Sequence, residues 1–238
     1  NSYTKSIDII KDRDILINDT LIEKIGNNID GNYKIFDCKN KLITPGLVDP
    51  HTHPVFLKAR EDEFGLRVQG ATYQEIAEKG GGINSSINGV RNATTEELID
   101  AVSKRMDRFL KLGTTTVEAK SGYGLNVESE LKSLEVIDLV NQNHAIDIIP
   151  TFLGAHTIPP EYKNKSDGYI DLICNEMIPA VATQGIAKYC DVFCENGYFN
   201  IEQSRRILET AKSLGLIPRL HADEFEDSGA AELAAEIE

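Results

Sequence analysis

Cysteine is scarce in this 238-residue chain: Cys38, Cys174, Cys190 and Cys194 are too few and too irregularly spaced for a disulfide framework. Cys190 and Cys194 share one face of a β-rich run, so they read as buried reduced thiols, with a metal site as the alternative. A reducing cytoplasm suits that usage. Long apolar runs are missing too. No stretch approaches the roughly eighteen uncharged apolar residues that a membrane span needs. The first dozen residues, with Lys5, Asp8, Lys11 and Asp12, hold no signal-peptide core. The 8 prolines and 18 glycines are scattered, which excludes low-complexity or collagen-like tracts. Positive charge is also short: 25 Lys+Arg against 38 Asp+Glu leave a net charge of −13, which argues against nucleic acid as a partner.

What is there reads as a globular protein, 41% hydrophobic and 26% charged. The chain starts at Asn1 rather than Met and stops at Glu238 inside a helical run, so a piece of a longer protein is expected. From Ser6 to Ile43, short β-like stretches (Ile7–Ile10, Ile15–Ile17, Lys34–Phe36) alternate with Asn, Asp and Gly turns. A boundary near Thr44 separates them from an alternation of strands and helices, giving domains 1–44 and 45–238. The first predicted helix opens with a Thr94–Glu97 capping box, presents Leu98, Val102, Met106 and Phe109, and ends at Gly113. The next carries Val127, Leu131, Leu134 and Ile137. A third starts at Asn200 and buries Ile201, Leu208, Ala211 and Leu214. Strands are expected at Gly46–Asp49, Thr114–Glu118, Ala145–Leu153, Tyr189–Cys194 and Leu216–His221. Five βα units imply a parallel sheet covered by helices. Without Gly-x-Gly-x-x-Gly after the first strand, a (β/α)8 barrel is preferred to an open dinucleotide-binding sheet.

Three of the five histidines fall at the carboxyl ends of predicted strands. His51 and His53 are two apart after the first, so in extended backbone both rings face one side. His221 ends the fifth strand, on the same rim of a barrel. Three imidazoles from two strands suit a zinc or iron ion with an open position. His144, at the end of a polar helix, is expected at the surface.

Ile43-Thr-Pro-Gly-Leu-Val-Asp-Pro-His-Thr-His resembles the first-strand signature of the amidohydrolase superfamily, metal-dependent hydrolases built on a barrel with a small β-sandwich. Within it, five further motifs are similar to those of the imidazolonepropionase family: Arg60-Glu-Asp-Glu-Phe, Ala71-Thr-Tyr-Gln-Glu-Ile-Ala with Gly80-Gly-Gly-Ile, Glu118-Ala-Lys-Ser-Gly-Tyr-Gly-Leu, Thr151-Phe-Leu-Gly-Ala-His and His221-Ala-Asp-Glu-Phe. One motif departs from the pattern, with Gly89-Val90-Arg91 where the family has Ala-Thr-Arg.

The resemblance implies a truncated barrel of the metal-dependent hydrolase type, about five of eight units, behind the N-terminal part of a β-sandwich. It implies one metal ion, Zn or Fe, held by His51, His53 and His221. The implied activity is opening of the cyclic amide of 4-imidazolone-5-propanoate to N-formimidoyl-L-glutamate. Arg60, Tyr73 and Tyr123 would bind the propionate, His156 would contact substrate and stabilise the oxyanion, and Glu224 would shuttle the proton. The family's remaining aspartate ligand and catalytic histidine are expected beyond Glu238; from within the chain, Asp191 or Asp223 would have to supply the carboxylate. Lys120 as a carboxylated bridging ligand is an alternative that the family does not use. The partners implied are a small anionic substrate, no nucleic acid and no membrane, with a homodimer as the candidate assembly. Two rival readings stand: another amidohydrolase, hydantoinase- or deaminase-like, or a truncated, inactive chain that binds metal or ligand.

Overall fold

The structure, a computed structural model, describes residues 9–38, 41–57, 61–71, 81 and 83–237. The chain divides into two compact units, Asn1–Thr44 and Pro45–Glu238. In the first, β1 (Asp14–Asn18) and β2 (Leu21–Gly26) form an antiparallel hairpin. Asp19 in the turn takes φ 52°, the left-handed conformation that a tight hairpin connection requires. The strand expected at Lys34–Phe36 does not form. Its apolar residues have strand propensity but no burying face: Ile35 is 86% and Phe36 75% exposed. Ile9 and Ile10 also lie outside strands, and residues 7–8 lie outside the described residues.

The second unit holds a five-stranded parallel sheet: β3 (Leu47–Thr52), β4 (Thr114–Lys120), β5 (Asp147–Ala155), β6 (Tyr189–Cys194) and β7 (Ile217–Ala222), neighbours in chain order. Its helices are α1 (Glu61–Val68), α2 (Ile83–Asn92), α3 (Thr95–Lys111), α4 (Val127–Asn143), α5 (Ser166–Leu172), α6 (Ile178–Gln184), α7 (Ile201–Ser213) and α8 (Ala230–Ile237). A π-helical turn, Ile173–Met177, joins α5 to α6. This is the arrangement of a partial (β/α) barrel.

Local chemistry explains the element ends. Thr94 caps α3 by accepting the Glu97 N–H at 3.2 Å, while the Glu97 carboxylate accepts the Thr94 N–H at 2.9 Å. Asn200 and Gln203 make the same reciprocal pair at α7. Gly113, at φ 95°, turns the chain from α3 into β4. Leu98, Val102 and Met106 are fully buried, and Phe109 packs against the core. On α7 the core residue Ile207 was not anticipated, whereas Leu214 is 45% exposed because the helix stops at Ser213. Cys174, Cys190 and Cys194 are buried and unpaired, and burial pushes their thiols up in pKa. Among the described residues, no helix is long and apolar enough to cross a membrane.

Candidate active site

The carboxyl ends of β3 and β7 bring three imidazoles together. Alternation along β3 buries Thr52, whose hydroxyl donates to the Glu118 carbonyl at 2.5 Å, and turns His51 and His53 the other way. Their Nε2 atoms lie 3.1 Å apart. The His221 ring meets His51 edge-on at 4.4 Å between centroids and lies 5.6 Å from His53. Nitrogens from all three lie within 4.8 Å of one another, so the trio could hold a metal ion. A tetrahedral ion with bonds of about 2.1 Å would space its nitrogen ligands by about 3.4 Å, close to the 3.1 Å between His51 and His53. Two observations favour the fit. The buried Nδ1 atom of His53 makes no hydrogen bond. Burial above all, with the neighbouring rings, lowers His53 to a pKa of about 2; burial and His221 lower His51, leaving both as neutral donors.

A charged layer lies beside them. Asp191 Oδ2 approaches His221 Nδ1 at 3.0 Å, close enough to orient the ring. Lys120, only 2% exposed, reaches that same oxygen at 2.6 Å and Glu118 Oε1 at 2.9 Å. Thr151 donates to Glu118 Oε1 at 2.5 Å, and Arg219 lies 3.2 Å from it. Burial raises Asp191, but His221 and Lys120 outweigh it and bring its pKa down to about 2. Lys120 therefore serves as the cation between two carboxylates. A carboxylated lysine would put a third anion there, so these neighbours do not favour the bridging-ligand alternative.

His156 follows β5, and its ring stacks on His53 with 4.9 Å between centroids. Its Nδ1 lies 2.9 Å from the carbonyl oxygen of Gly122, which can only accept, so Nδ1 carries the proton. Burial lowers its pKa to about 4. A neutral ring in that tautomer leaves Nε2 as an acceptor, which does not suit the expected oxyanion-stabilising role. Tyr123 stands 5.2 Å from the His156 ring and 6.1 Å from His53, between centroids. Arg105 donates to the carbonyls of Pro54 and Phe56 at 3.0 and 2.7 Å and covers the Phe56 ring, holding the segment after His53 to α3.

Glu224 sits in the exposed turn after β7, three residues beyond His221. Arg60 and Tyr73 lie outside the described residues, as do Gly80 and Gly82. Asp223 is occupied elsewhere, accepting the N–H groups of Ser228, Ala230 and Ala231 at the start of α8. His144, expected at the surface, is half-buried; its Nδ1 accepts the Ile146 N–H at 3.1 Å and caps the turn after α4. The charged layer escaped the sequence reading, which raised Asp191 only as a stand-in carboxylate. A signal was present, since Glu118 and Lys120 alternate with apolar residues on a strand that should be buried on both faces.

A parallel βα array with histidines gathered on its carboxyl rim is the arrangement of a partial (β/α) barrel. Two solved structures share the fold. A 5-methylcytosine deaminase from Klebsiella pneumoniae matches 94% of this chain and 52% of its own at TM-score 0.64 and 17% identity. An adenine deaminase from Arthrobacter aurescens matches 81% of this chain and 61% of its own at TM-score 0.51 and 14% identity. In sequence, the chain is similar to imidazolonepropionases over nearly its whole length. It is 49% identical to that of Brevibacillus brevis over 240 residues, covering 97% of this chain and 57% of the relative. It is 48% identical to that of Alkaliphilus metalliredigens and 45% to that of Clostridium tetani, in each case over 98% of this chain and 57% of the relative. The chain thus spans little more than half the length of these curated relatives. No family model matches it.

Proposed function

We propose that the chain supplies the histidine metal site and part of the substrate pocket of an imidazolonepropionase. The reaction is hydrolysis of 4-imidazolone-5-propanoate: water adds to the ring carbonyl, the ring C–N bond breaks, and the leaving nitrogen takes a proton, giving N-formimidoyl-L-glutamate. The observation that carries this reading is the convergence of His51, His53 and His221 in a chain 49% identical to an imidazolonepropionase. A zinc or iron ion bound by them would supply Lewis-acid activation of water and carbonyl near neutral pH.

The chain's own groups then divide the remaining work. Asp191 orients His221, with Lys120 keeping that carboxylate ionised. His156, an acceptor at Nε2, suits a ring N–H of the substrate and so fixes the ring's orientation. Glu224, in the turn after His221, is the candidate to carry the proton to the leaving nitrogen, without which C–N cleavage stalls. Tyr123, with Arg60 and Tyr73, would bind the propionate, a carboxylate that the guanidinium fork fits. The buried unpaired cysteines favour a reducing, cytoplasmic setting.

Metal binding gives the direct test. Zinc at about 100 times its dissociation constant should stabilise the chain by about 2.7 kcal/mol in chemical unfolding. His221→Ala should abolish that increment. Stability indifferent to zinc and to ferrous ion would remove the hydrolase reading, and a protein of the relatives' full length that carried this chain, bound metal and formed no N-formimidoyl-glutamate would remove the substrate assignment.

A further inference from the structure

The motif Ser121-Gly-Tyr-Gly-Leu125 turns sharply between β4 and α4, and one side chain organises it. Glu130, in the first turn of α4, is 1% exposed. Its Oε1 accepts the N–H groups of Gly122, Gly124 and Leu125 at 3.2, 2.8 and 2.9 Å, and Oε2 accepts Gly122 again at 3.0 Å. The carbonyls of the same turn point elsewhere. Those of Gly124 and Leu125 accept from the Arg91 guanidinium at 2.7 and 3.2 Å, and that of Gly122 accepts from His156. The turn is conformationally demanding. Leu125 sits at φ 54°, a position costing a non-glycine residue about 1–3 kcal/mol, and Gly122 sits at φ 107°. A Cβ on Gly122 would lie 2.8 Å from the Leu153 carbonyl and 3.1 Å from His156 Nδ1, so only glycine lets the backbone approach that ring.

We propose that Glu130 is a positioning residue of the active site: by gathering the N–H groups of the 121–125 turn it aims the Gly122 carbonyl at His156, sets that ring's tautomer, and places Tyr123 beside it. Burial raises the pKa of Glu130, while the N–H groups of Leu125, Gly124 and Gly122 favour the carboxylate. Its two acceptor oxygens are needed because several donors converge on it and any N–H or O–H in its place meets another donor. The consequence for substrate orientation rests on the hydrolase reading above. The tautomer itself does not.

The test therefore uses neither metal nor substrate. In the chelator-treated, 15N-histidine-labelled chain, two-bond correlation spectra distinguish Nδ1–H from Nε2–H rings. His156 should appear as Nδ1–H alone. His144, which accepts a backbone N–H at Nδ1, should show the opposite tautomer and serves as internal control. Glu130→Gln keeps one oxygen but places an amide N–H₂ against the Gly122 N–H; His156 should then lose its single-tautomer pattern and become a mixture, with helix content unchanged. Glu130→Asp keeps the charge one methylene short and should retain most of the Nδ1–H signal. A folded Glu130→Gln chain with His156 unchanged would overturn the proposal. Should that variant not fold, the wild-type and Glu130→Asp spectra still decide, since an Nε2–H ring in the first or full scrambling in a folded second would overturn it equally.

Discussion

On the face of the sheet turned to the helices, β4 presents Val117 and Ala119, β5 presents Ile148 and Phe152, and β6 presents Cys190 and Val192, all in one apolar core. Alternate residues of the same strands carry different chemistry: Glu118 and Lys120 on β4, Thr151 on β5, Asp191 on β6, with Arg219 and His221 on β7. Barrel interiors are usually filled by branched aliphatic layers. Desolvating three charged side chains, Glu118, Lys120 and Asp191, is unfavourable, and pairing offsets that cost only while every partner stays in place. The helix face thus tolerates any residues that fill its volume, whereas the other face depends on particular atoms at particular distances. The histidines stand at the rim of the demanding face, where His221 lies against Asp191 of the charged layer.

The sharpest way to break this contrast is to remove the central cation. Lys120→Ala leaves Glu118 and Asp191 buried without it, and should destabilise the chain by about 3–5 kcal/mol in urea unfolding. A loss below 1 kcal/mol, the range of a surface pair, would show that the charged layer is hydrated and that burial of Lys120 has been misread. On the helix face, Leu134→Ala deletes a fully buried side chain of α4. A cost of about 2–5 kcal/mol is expected, the lower end if α4 settles toward the sheet, and the metal affinity should be unchanged. A parallel loss of zinc binding would mean that the two faces are coupled.

The pH dependence of stability is the most diagnostic. His53 and His156 have folded pKa values lowered to about 2 and about 4, against 6.5 unfolded. Below pH 6.5 the unfolded chain binds more protons than the folded one. Stability is therefore complete above 6.5 and falls with pH, through about 4 for His156 and toward about 2 for His53. Each histidine can remove at most about 1.4 kcal/mol per pH unit. Asp191 acts lower still, its contribution present above 3.8 and lost as pH falls through about 2. Urea unfolding of the metal-free chain at pH 7, 6 and 5 would show the decline, and a flat profile would mean that the two rings are solvated.

Much of this was legible before any coordinates. Capping pairs, helix faces and five strands announce themselves because hydrogen-bond geometry repeats locally, every 3.6 residues or every two. Pro45-Gly46 ahead of an apolar strand and His-x-His placed two imidazoles on one side without help from the rest of the chain. Lys34–Phe36 misled, because strand propensity is expressed only where a partner edge and a burying face exist. The tertiary structure alone decided the rest. Lys120 meets Asp191 across 71 residues because β4, β5 and β6 stack in one register, with Lys120 opposite Thr151. Asp191 sits opposite Arg219, and Phe193 opposite His221, by the register of β6 on β7. Glu130 closes on a turn that begins nine residues before it, because α4 folds back over the end of β4. Such pairings depend on inter-strand register and helix docking, set by the summed packing of many side chains, and no local pattern of residues encodes them.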